Sequence, residues 1–379
     1  MFKLAMVTAY PEIAGTVSGG VEGVAVCLAE KIAKETDWEV HVIAPSSTTT
    51  ENHEIRNGVY IHWVNMSKIP GFLSYWSLYR RKVHRVLDEL NPDITHFQGI
   101  AGWTLFYKKP YVLTMHGIIE KDVLHKGRFT NRLRYFVLYF IEKIARQKVR
   151  DVIIINQYVL DELEEQFSAK VWNISNPVQE IFFTNNRKLN IKRNKILYVG
   201  CISELKNIKG IILAFKELVN INSNVELSIC GKAEDENYLN ECQELIKDFG
   251  LSKMVKFYGN VDRADLINHL STSACLVLLS KQEVAPMVVA ESMAMGVPVV
   301  ASNICGLPYM IDDTKNGFLV DSKEVSEVAS YMNRLLVDDG LNLTMSEESM
   351  KYAQLNYHPD EVVKKTIHVY KSIIAENKK

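Results

Sequence analysis

Two carboxylates, Glu283 and Glu291, stand with seven residues between them in the stretch "EVAPMVVAESMAMGVPVVAS" (283–302), an apolar run without one basic residue. An unpaired carboxylate in apolar surroundings costs free energy that something must repay. Pro286 suits the first turn of a helix and Gly296 with Pro298 its end, so Glu283 belongs to a loop and Glu291 lies a turn and a half inside the helix. A helix N-terminus offers unpaired N–H groups and partial positive charge, which suits a phosphate or diphosphate. Carboxylates beside such an anion would accept hydrogen bonds from hydroxyls, and two carboxylate oxygens match a vicinal diol. One glutamate on each side of a diphosphate, with a sugar at one end and a ribose at the other, is the pattern of a nucleotide-sugar site. The structural alternative, a solvated Glu283 and Glu291 on an exposed stripe, has little room in so apolar a helix.

Other residues could join this chemistry. His116 closes the strand "PYVLTM" at a carboxyl end, where open α/β sheets hold ligands. Gly19 and Gly20 in "SGGVEG" (18–23) form a turn through which backbone could approach a phosphate, although a Gly-Gly pair is also simply a turn.

The elements that must position these residues alternate between short apolar runs and helical stretches, as in a parallel α/β sheet. Strands are expected at 3–10, 38–45, 93–99, 110–117 and 151–156, with a helix over 24–35. A polar, aperiodic stretch at 173–194 reads as a linker. Alternation restarts with strands at 195–200, 225–231, 255–261, 274–280 and 298–302, and a terminal helix is expected over 358–376. Two doubly wound domains facing each other would place a ligand cleft between their loops.

Bulk properties agree with two soluble cores: 379 residues, 47% hydrophobic, 23% charged, formal net charge −1. Charge is uneven, with 16 Lys and Arg against 6 Asp and Glu between residues 66 and 150, and 28 against 39 elsewhere. Cys27, Cys201, Cys230, Cys242, Cys275 and Cys305 are scattered without metal-ligand spacing, as reduced thiols of a cytosolic protein would be. The N-terminus "MFKLAMVTAYP" lacks the features of a signal peptide, and no long apolar run occurs, so a cytoplasmic protein is expected. "YWSLYRRKVHR" (75–85) and "RFTNRLRYFVLYFIEKIARQKVR" (128–150) interleave aromatics with cations. In the second, Leu133, Phe136, Val137, Phe140, Ile141 and Ile144 recur at helical spacing. This reads either as a basic amphipathic helix on an anionic membrane or as a core helix with a solvated basic face. No nucleic-acid recognition motif accompanies the patch.

The glutamate pair followed by "ESMAMGVPVVA" resembles the retaining glycosyltransferases of family 4. "SGGVEG", "TMHG", "SNPV" and "GLPYMIDDTKNGFLV" resemble further segments of that family in the same order, over nearly the whole chain. The resemblance implies a GT-B fold of two Rossmann-like domains: an acceptor-side domain, 1–180, rejoined by 358–379, and a donor-binding domain, 181–357. It implies that Glu291 holds the donor ribose, Glu283 the transferred sugar and Lys206 of "VGCISELKNIKG" the diphosphate. His116 would lie beside the reacting sugar. Gly19, Gly20, Gly200, Val261, Ala285, Pro286, Met287 and Val288 would complete the donor site. Cys201 departs from the family, which often has Arg there, leaving Lys206 or Lys209 as the cation.

The implied reaction moves a hexose from a nucleotide-sugar, a UDP-sugar foremost, to a glycan or lipid-linked acceptor in envelope polysaccharide or glycolipid synthesis. It proceeds with retention, without metal or cofactor, on the inner face of the membrane, and no Asp-x-Asp triplet occurs in the chain. Alternatives are a non-hydrolysing nucleotide-sugar 2-epimerase, which shares the architecture but not the glutamate spacing, and a non-catalytic bilobed sugar-binding protein.

Overall fold

The structure, a computed structural model, describes residues 2–17, 19–46, 53–66, 78–118, 129–184 and 193–378. The chain divides into two compact units, Met1–Pro177 with Pro359–Lys379, and Val178–His358.

Unit 1 runs β1 (Lys3–Val7), α1 (Gly20–Glu35), β2 (Glu39–Ser46), β3 (His53–Arg56), β4 (Val59–Asn65), α2 (Arg80–Leu90), β5 (Ile94–Gln98), β6 (Tyr111–Met115), α3 (Phe129–Arg146), β7 (Asp151–Ile154), α4 (Gln157–Leu163) and β8 (Lys170–Asn173). A short 3-10 turn, Ala101–Thr104, follows β5. Among the described residues the strands form one sheet in the order β3-β4-β2-β1-β5-β6-β7-β8. Every pairing is parallel except β3 with β4. The central strands are buried on both faces, which explains the apolar run Leu4–Val7 of β1; β5 is buried as fully but carries Thr95, His96 and Gln98, whose side chains are hydrogen-bonded.

The five strands expected of the first domain are present, and three more join them. The β3–β4 hairpin turns at Asn57 (φ 51°) and Gly58 (φ 81°), the Asn-Gly pair that tight hairpins favour because both residues tolerate positive φ. Edge strand β8 is largely exposed and so carries no apolar run to betray it.

Unit 2 runs α5 (Ile181–Thr184), β9 (Lys195–Val199), α6 (Ile208–Ile221), β10 (Glu226–Cys230), α7 (Glu236–Asp248), β11 (Val255–Gly259), α8 (Arg263–Thr272), β12 (Ser273–Leu278), α9 (Met287–Ala294), β13 (Val299–Ser302), β14 (Gly317–Val320), α10 (Val325–Val337) and α11 (Asp339–Asn356). Its sheet is parallel in the order β11-β10-β9-β12-β13-β14. The chain winds outward from β9 to one edge and from β12 to the other, so the β9/β12 boundary is the topological switch point, where open sheets bind ligands. The linker expected at 173–194 holds the one-turn α5, and residues 185–192 lie outside the described residues.

The last helix, α12 (Pro359–Glu376), returns to unit 1. Val362, Val363, Val369, Tyr370 and Ile373 share a core with Ala25, Leu28 and Ile32 of α1. Tyr370 Oη meets His96 Nδ1 at 2.6 Å, and Lys31 pairs with Asp360 at 2.5 Å.

Glycines end three neighbouring strands of unit 2. Gly200, Gly231 and Gly259 all have positive φ, and Gly231 donates its N–H to the Gly259 carbonyl at 2.6 Å. A Cβ on Gly231 would stand 1.8 Å from the Gly200 carbonyl oxygen. Backbone cannot yield as a side-chain tip can, so Gly231→Ala should lower stability by about 3 kcal/mol or more, read by denaturant unfolding.

Candidate functional site

The carboxyl ends of β9 and β12 bring two loops together at the switch point. Lys206 ends the turn Glu204–Lys206, and Asn207, in the left-handed region, caps α6 by accepting the Gly210 N–H. The loop after β12 is pinned to this turn by Lys281 N–H to the Leu205 carbonyl at 2.8 Å and by Lys281 with Glu204 at 3.0 Å. Such pinning fixes where the Lys206 side chain starts.

Glu283 is 8% exposed and has the basic partner that its own segment lacks: Lys206 Nζ donates to Glu283 Oε1 at 2.5 Å. The pair is 77 positions apart in sequence, which is why the local stretch reads as unpartnered. Ser280 Oγ also donates to Oε1, at 2.7 Å, and the Glu283 carbonyl accepts the Gly306 N–H at 2.9 Å. Both side-chain bonds fall on Oε1, so Oε2 keeps its lone pairs for hydroxyl donors.

Helix α9 begins at Met287, with Pro286 as its extended N-cap. Gly296, at φ 68°, ends the helix, and Val297 N–H reaches back to the Ser292 carbonyl at 2.8 Å. Val289, Ala290, Ser292, Met293 and Ala294 are buried, while Ala285, Pro286, Met287, Val288 and Glu291 are partly open. Glu291 occupies the fifth helical position. Although part of the residue reaches solvent, the surrounding apolar helix and core desolvate the Glu291 carboxyl and push it up to about 7, against a smaller opposing effect of the Arg263 charge. Arg263, the first residue of α8, is a cation whose charge acts on Glu291 and which the motifs did not single out; only the fold carries it toward Glu291. Val261 lies between β11 and α8.

A raised carboxyl pKa means that ionisation opposes folding. The contribution is nil below the unfolded value near 4.5, grows as a penalty as pH rises from there to about 7, and is complete above it. Glu291→Gln should therefore match the wild type in stability at acid pH and exceed it above pH 7 by up to about 3 kcal/mol, measured by urea unfolding across pH. Equal stability at pH 8 would contradict the buried-charge reading.

Two neighbouring positions differ from Lys206 in their surroundings. Lys209 pairs with Glu241 at 2.6 Å and lies over the Tyr238 ring, so it is engaged on α7. Cys201 is half-buried, and burial with the nearby Glu234 raises its thiol pKa. It therefore brings neither positive nor negative charge at neutral pH.

His116, Gly19 and Gly20 belong to unit 1. His116 follows β6, and Nε2 meets Gln98 Oε1 of β5 at 3.1 Å. Burial drives its pKa down to about 4 against a smaller contrary effect of Asn176, so the ring is neutral at physiological pH. A cavity of about 20 Å³, room for one water, is lined by His96, Gln98, Thr114, His116 and Asn176. Gln98, which orients the imidazole, was not among the sequence candidates because a lone strand-end amide gives no signal. Gly19 is the N-cap of α1 at φ −163°, an extended conformation open to any residue, with nothing near the Cβ it lacks.

Two family models match nearly the whole chain: Glycosyltransferase Family 4 over residues 18–180 and Glycosyl transferases group 1 over residues 181–352. An uncharacterised glycosyltransferase of Methanocaldococcus jannaschii is 27% identical over 97% of this chain and 98% of its own. The capsular polysaccharide biosynthesis glycosyltransferase CapM of Staphylococcus aureus is 26% identical over 64% of this chain and 67% of its own. Among solved structures, sucrose-phosphate synthase of Thermosynechococcus elongatus superposes with a TM-score of 0.81 at 17% identity, covering 99% and 100% of the two chains. Anabaena HepE in complex with UDP and glucose gives 0.74 at 18% identity, covering 98% and 100%. With two parallel-sheet units and matching models across both, the chain belongs to glycosyltransferase family 4 and has the GT-B fold.

Proposed function

We propose that this glycosyltransferase moves a hexosyl group, with retention of configuration, from a nucleotide-sugar to a glycan or lipid-linked acceptor of the cell envelope. The observation carrying this reading is the Lys206–Glu283 pair at the β9/β12 switch point with Glu291 on the adjoining helix. The ammonium has three donors, so it can keep Glu283 and still reach a diphosphate oxygen. Oε2 of Glu283 is left for a sugar hydroxyl. Glu291, ionised, would accept both ribose hydroxyls.

In the proposed step the acceptor oxygen bonds to the anomeric carbon on the face from which the phosphate departs. The carbon–oxygen bond to phosphate breaks, and the hydroxyl proton passes to the leaving phosphate oxygen. Lys206 and the first N–H groups of α9 stabilise the developing charge. His116, being neutral, acts by hydrogen bonding rather than as an acid. No metal is assigned to the donor phosphates, whose charge Lys206 would meet. UDP is the favoured nucleotide, supported by the UDP and glucose in the HepE complex. The envelope acceptor is supported by the capsular role in the CapM name. A lipid-linked acceptor places the reaction on the cytoplasmic face of a membrane.

The test is turnover of UDP-, GDP- and ADP-sugars with pooled envelope lipids and glycans, followed by NMR of the anomeric centre. Transfer with the donor's configuration supports the reading. Donor binding without transfer to any acceptor, epimerisation at C2 or an inverted product refutes it.

A further inference from the structure

Helix α3 is turned inside out. Its buried positions include Leu138, Glu142, Ala145 and Arg146, so an ion pair faces the protein, while Phe136, Phe140 and Ile144 are 55%, 58% and 47% exposed. Those three recur every four residues and share one stripe. The core-helix alternative offered by the sequence is therefore corrected for Phe136, Phe140 and Ile144, which face outward, while the inward face combines Leu138 and Ala145 with the Glu142–Arg146 pair. Each of these phenylalanines, a little over half exposed, forgoes roughly half of the ~1.5–3 kcal/mol available from full burial. Lys143, over the Tyr139 ring at 5.6 Å, and exposed Lys148 flank the stripe.

The turn Ala101–Thr104 joins this helix to a second such feature. Glu142 accepts the Ala101 and Gly102 N–H groups, each at 3.0 Å. Trp103 of the same turn meets the Tyr79 ring at 5.2 Å, and its carbonyl meets His84 of α2 at 2.9 Å. Just beyond the turn, Phe106 stands 75% exposed at φ 69°, a backbone region that bulky residues avoid. The Arg80 guanidinium lies 4.9 Å over its ring. Beside it a groove of about 660 Å³ is lined by Arg80, Arg81, His84, Arg85 and Phe106, with Asp88 and Glu89. Among the described residues none of the three arginines forms an ion pair, and Arg80 and Arg81 repel one another.

We propose that this surface of unit 1 docks on an anionic lipid bilayer. Phe106, Phe136 and Phe140 enter the boundary between headgroups and acyl chains, and Arg80, Arg81 and Arg85 contact lipid phosphates. Aromatic rings fringed by cations match that interface, where long basic side chains reach headgroups while apolar ones insert. A second copy is disfavoured, because a two-fold contact sets a face against itself and would oppose arginine to arginine. A soluble polyanion would use the arginines yet leave the α3 stripe in water. Among the described residues no helix is long and apolar enough to cross a membrane, so the contact is peripheral.

The inference rests on the lipid-linked acceptor reading above, but vesicle binding is measured apart from turnover, so either can fail alone. The full chain is co-sedimented with phosphatidylcholine vesicles and with an equimolar phosphatidylcholine–phosphatidylglycerol mixture, at low and high salt. Binding to the mixture at low salt, and loss with phosphatidylcholine alone, is expected. Replacing Arg80, Arg81 and Arg85 together by Gln should weaken binding about 100-fold, near fivefold per charge. Phe136→Ser with Phe140→Ser should weaken it on the order of tenfold. Nucleoside diphosphate binding should persist in every variant, showing that each is folded. Absence of wild-type binding at low salt, or equal binding by the variants, would overturn the proposal. So would a wild-type dimer in solution that Phe140→Ser dissociates.

Discussion

Lys206→Ala should lower turnover by about 10²–10³-fold, the usual loss when one preorganised group stabilising transition-state charge is removed. The ammonium is placed by a pinned turn and held 2.5 Å from Glu283, so little reorganisation is needed when charge develops on the leaving phosphate. The same substitution leaves a nearly buried carboxylate with one hydrogen bond, from Ser280, at a stability cost of about 1–3 kcal/mol. The two effects can be separated. Lys206→Met with Glu283→Gln removes both charges and should recover most of the lost stability while turnover stays low. Steady-state kinetics and denaturant unfolding on the same samples check this, and a double variant that regained turnover would contradict the charge-stabilising role of Lys206.

Glu142→Ala should lower stability by about 3–5 kcal/mol, the cost of leaving a buried charge without its partner. Glu142 and Arg146 are both fully buried, with Oε2 and Nη2 3.6 Å apart. The carboxylate also accepts two backbone N–H groups of the turn after β5, and Arg146 Nη1 donates to Gln166 at 2.7 Å. Removing Glu142 therefore takes the carboxylate from a buried guanidinium and the acceptor from two N–H donors at once. Glu142→Met combined with Arg146→Leu should be less damaging than Glu142→Ala alone, because no charge then remains to desolvate. Urea unfolding midpoints measure both. A loss below about 1 kcal/mol, the scale of an exposed pair, would show that the pair is solvated.

The parallel sheets were legible in the sequence because strands buried on both faces carry apolar runs, as Leu4–Val7 of β1 and Ala274–Leu278 of β12 do, whereas β5 is equally buried but holds Thr95, His96 and Gln98. The β3–β4 hairpin was not read, although "HEIRNGVYIHWVN" carries an Asn-Gly turn, because its alternating pattern differs from the buried runs that defined the other strands. Of the candidate site, Glu283, Glu291 and the start of α9 within a residue could be read locally. Lys206 as the partner of Glu283 could not, since 77 positions separate them and only the adjacency of β9 and β12 joins their loops. Arg263 was hidden for the same reason. Periodicity found the stripe of α3 but not its direction, which depends on the backbone donors that Glu142 meets after folding. Lys209, equivalent to Lys206 by sequence, is set apart by Glu241.

The account turns on Glu291 holding the donor ribose while Lys206 meets its diphosphate. Calorimetric titration of wild type and Glu291→Gln with UDP and with 2′,3′-dideoxy-UDP tests this as a double cycle. The account predicts that wild type loses about tenfold or more in affinity when the hydroxyls are removed, and that Glu291→Gln loses far less. Above pH 7 the wild-type preference should be full, and it should shrink as the carboxyl, with its pKa near 7, takes up a proton. Equal discrimination by the two proteins would contradict the assignment.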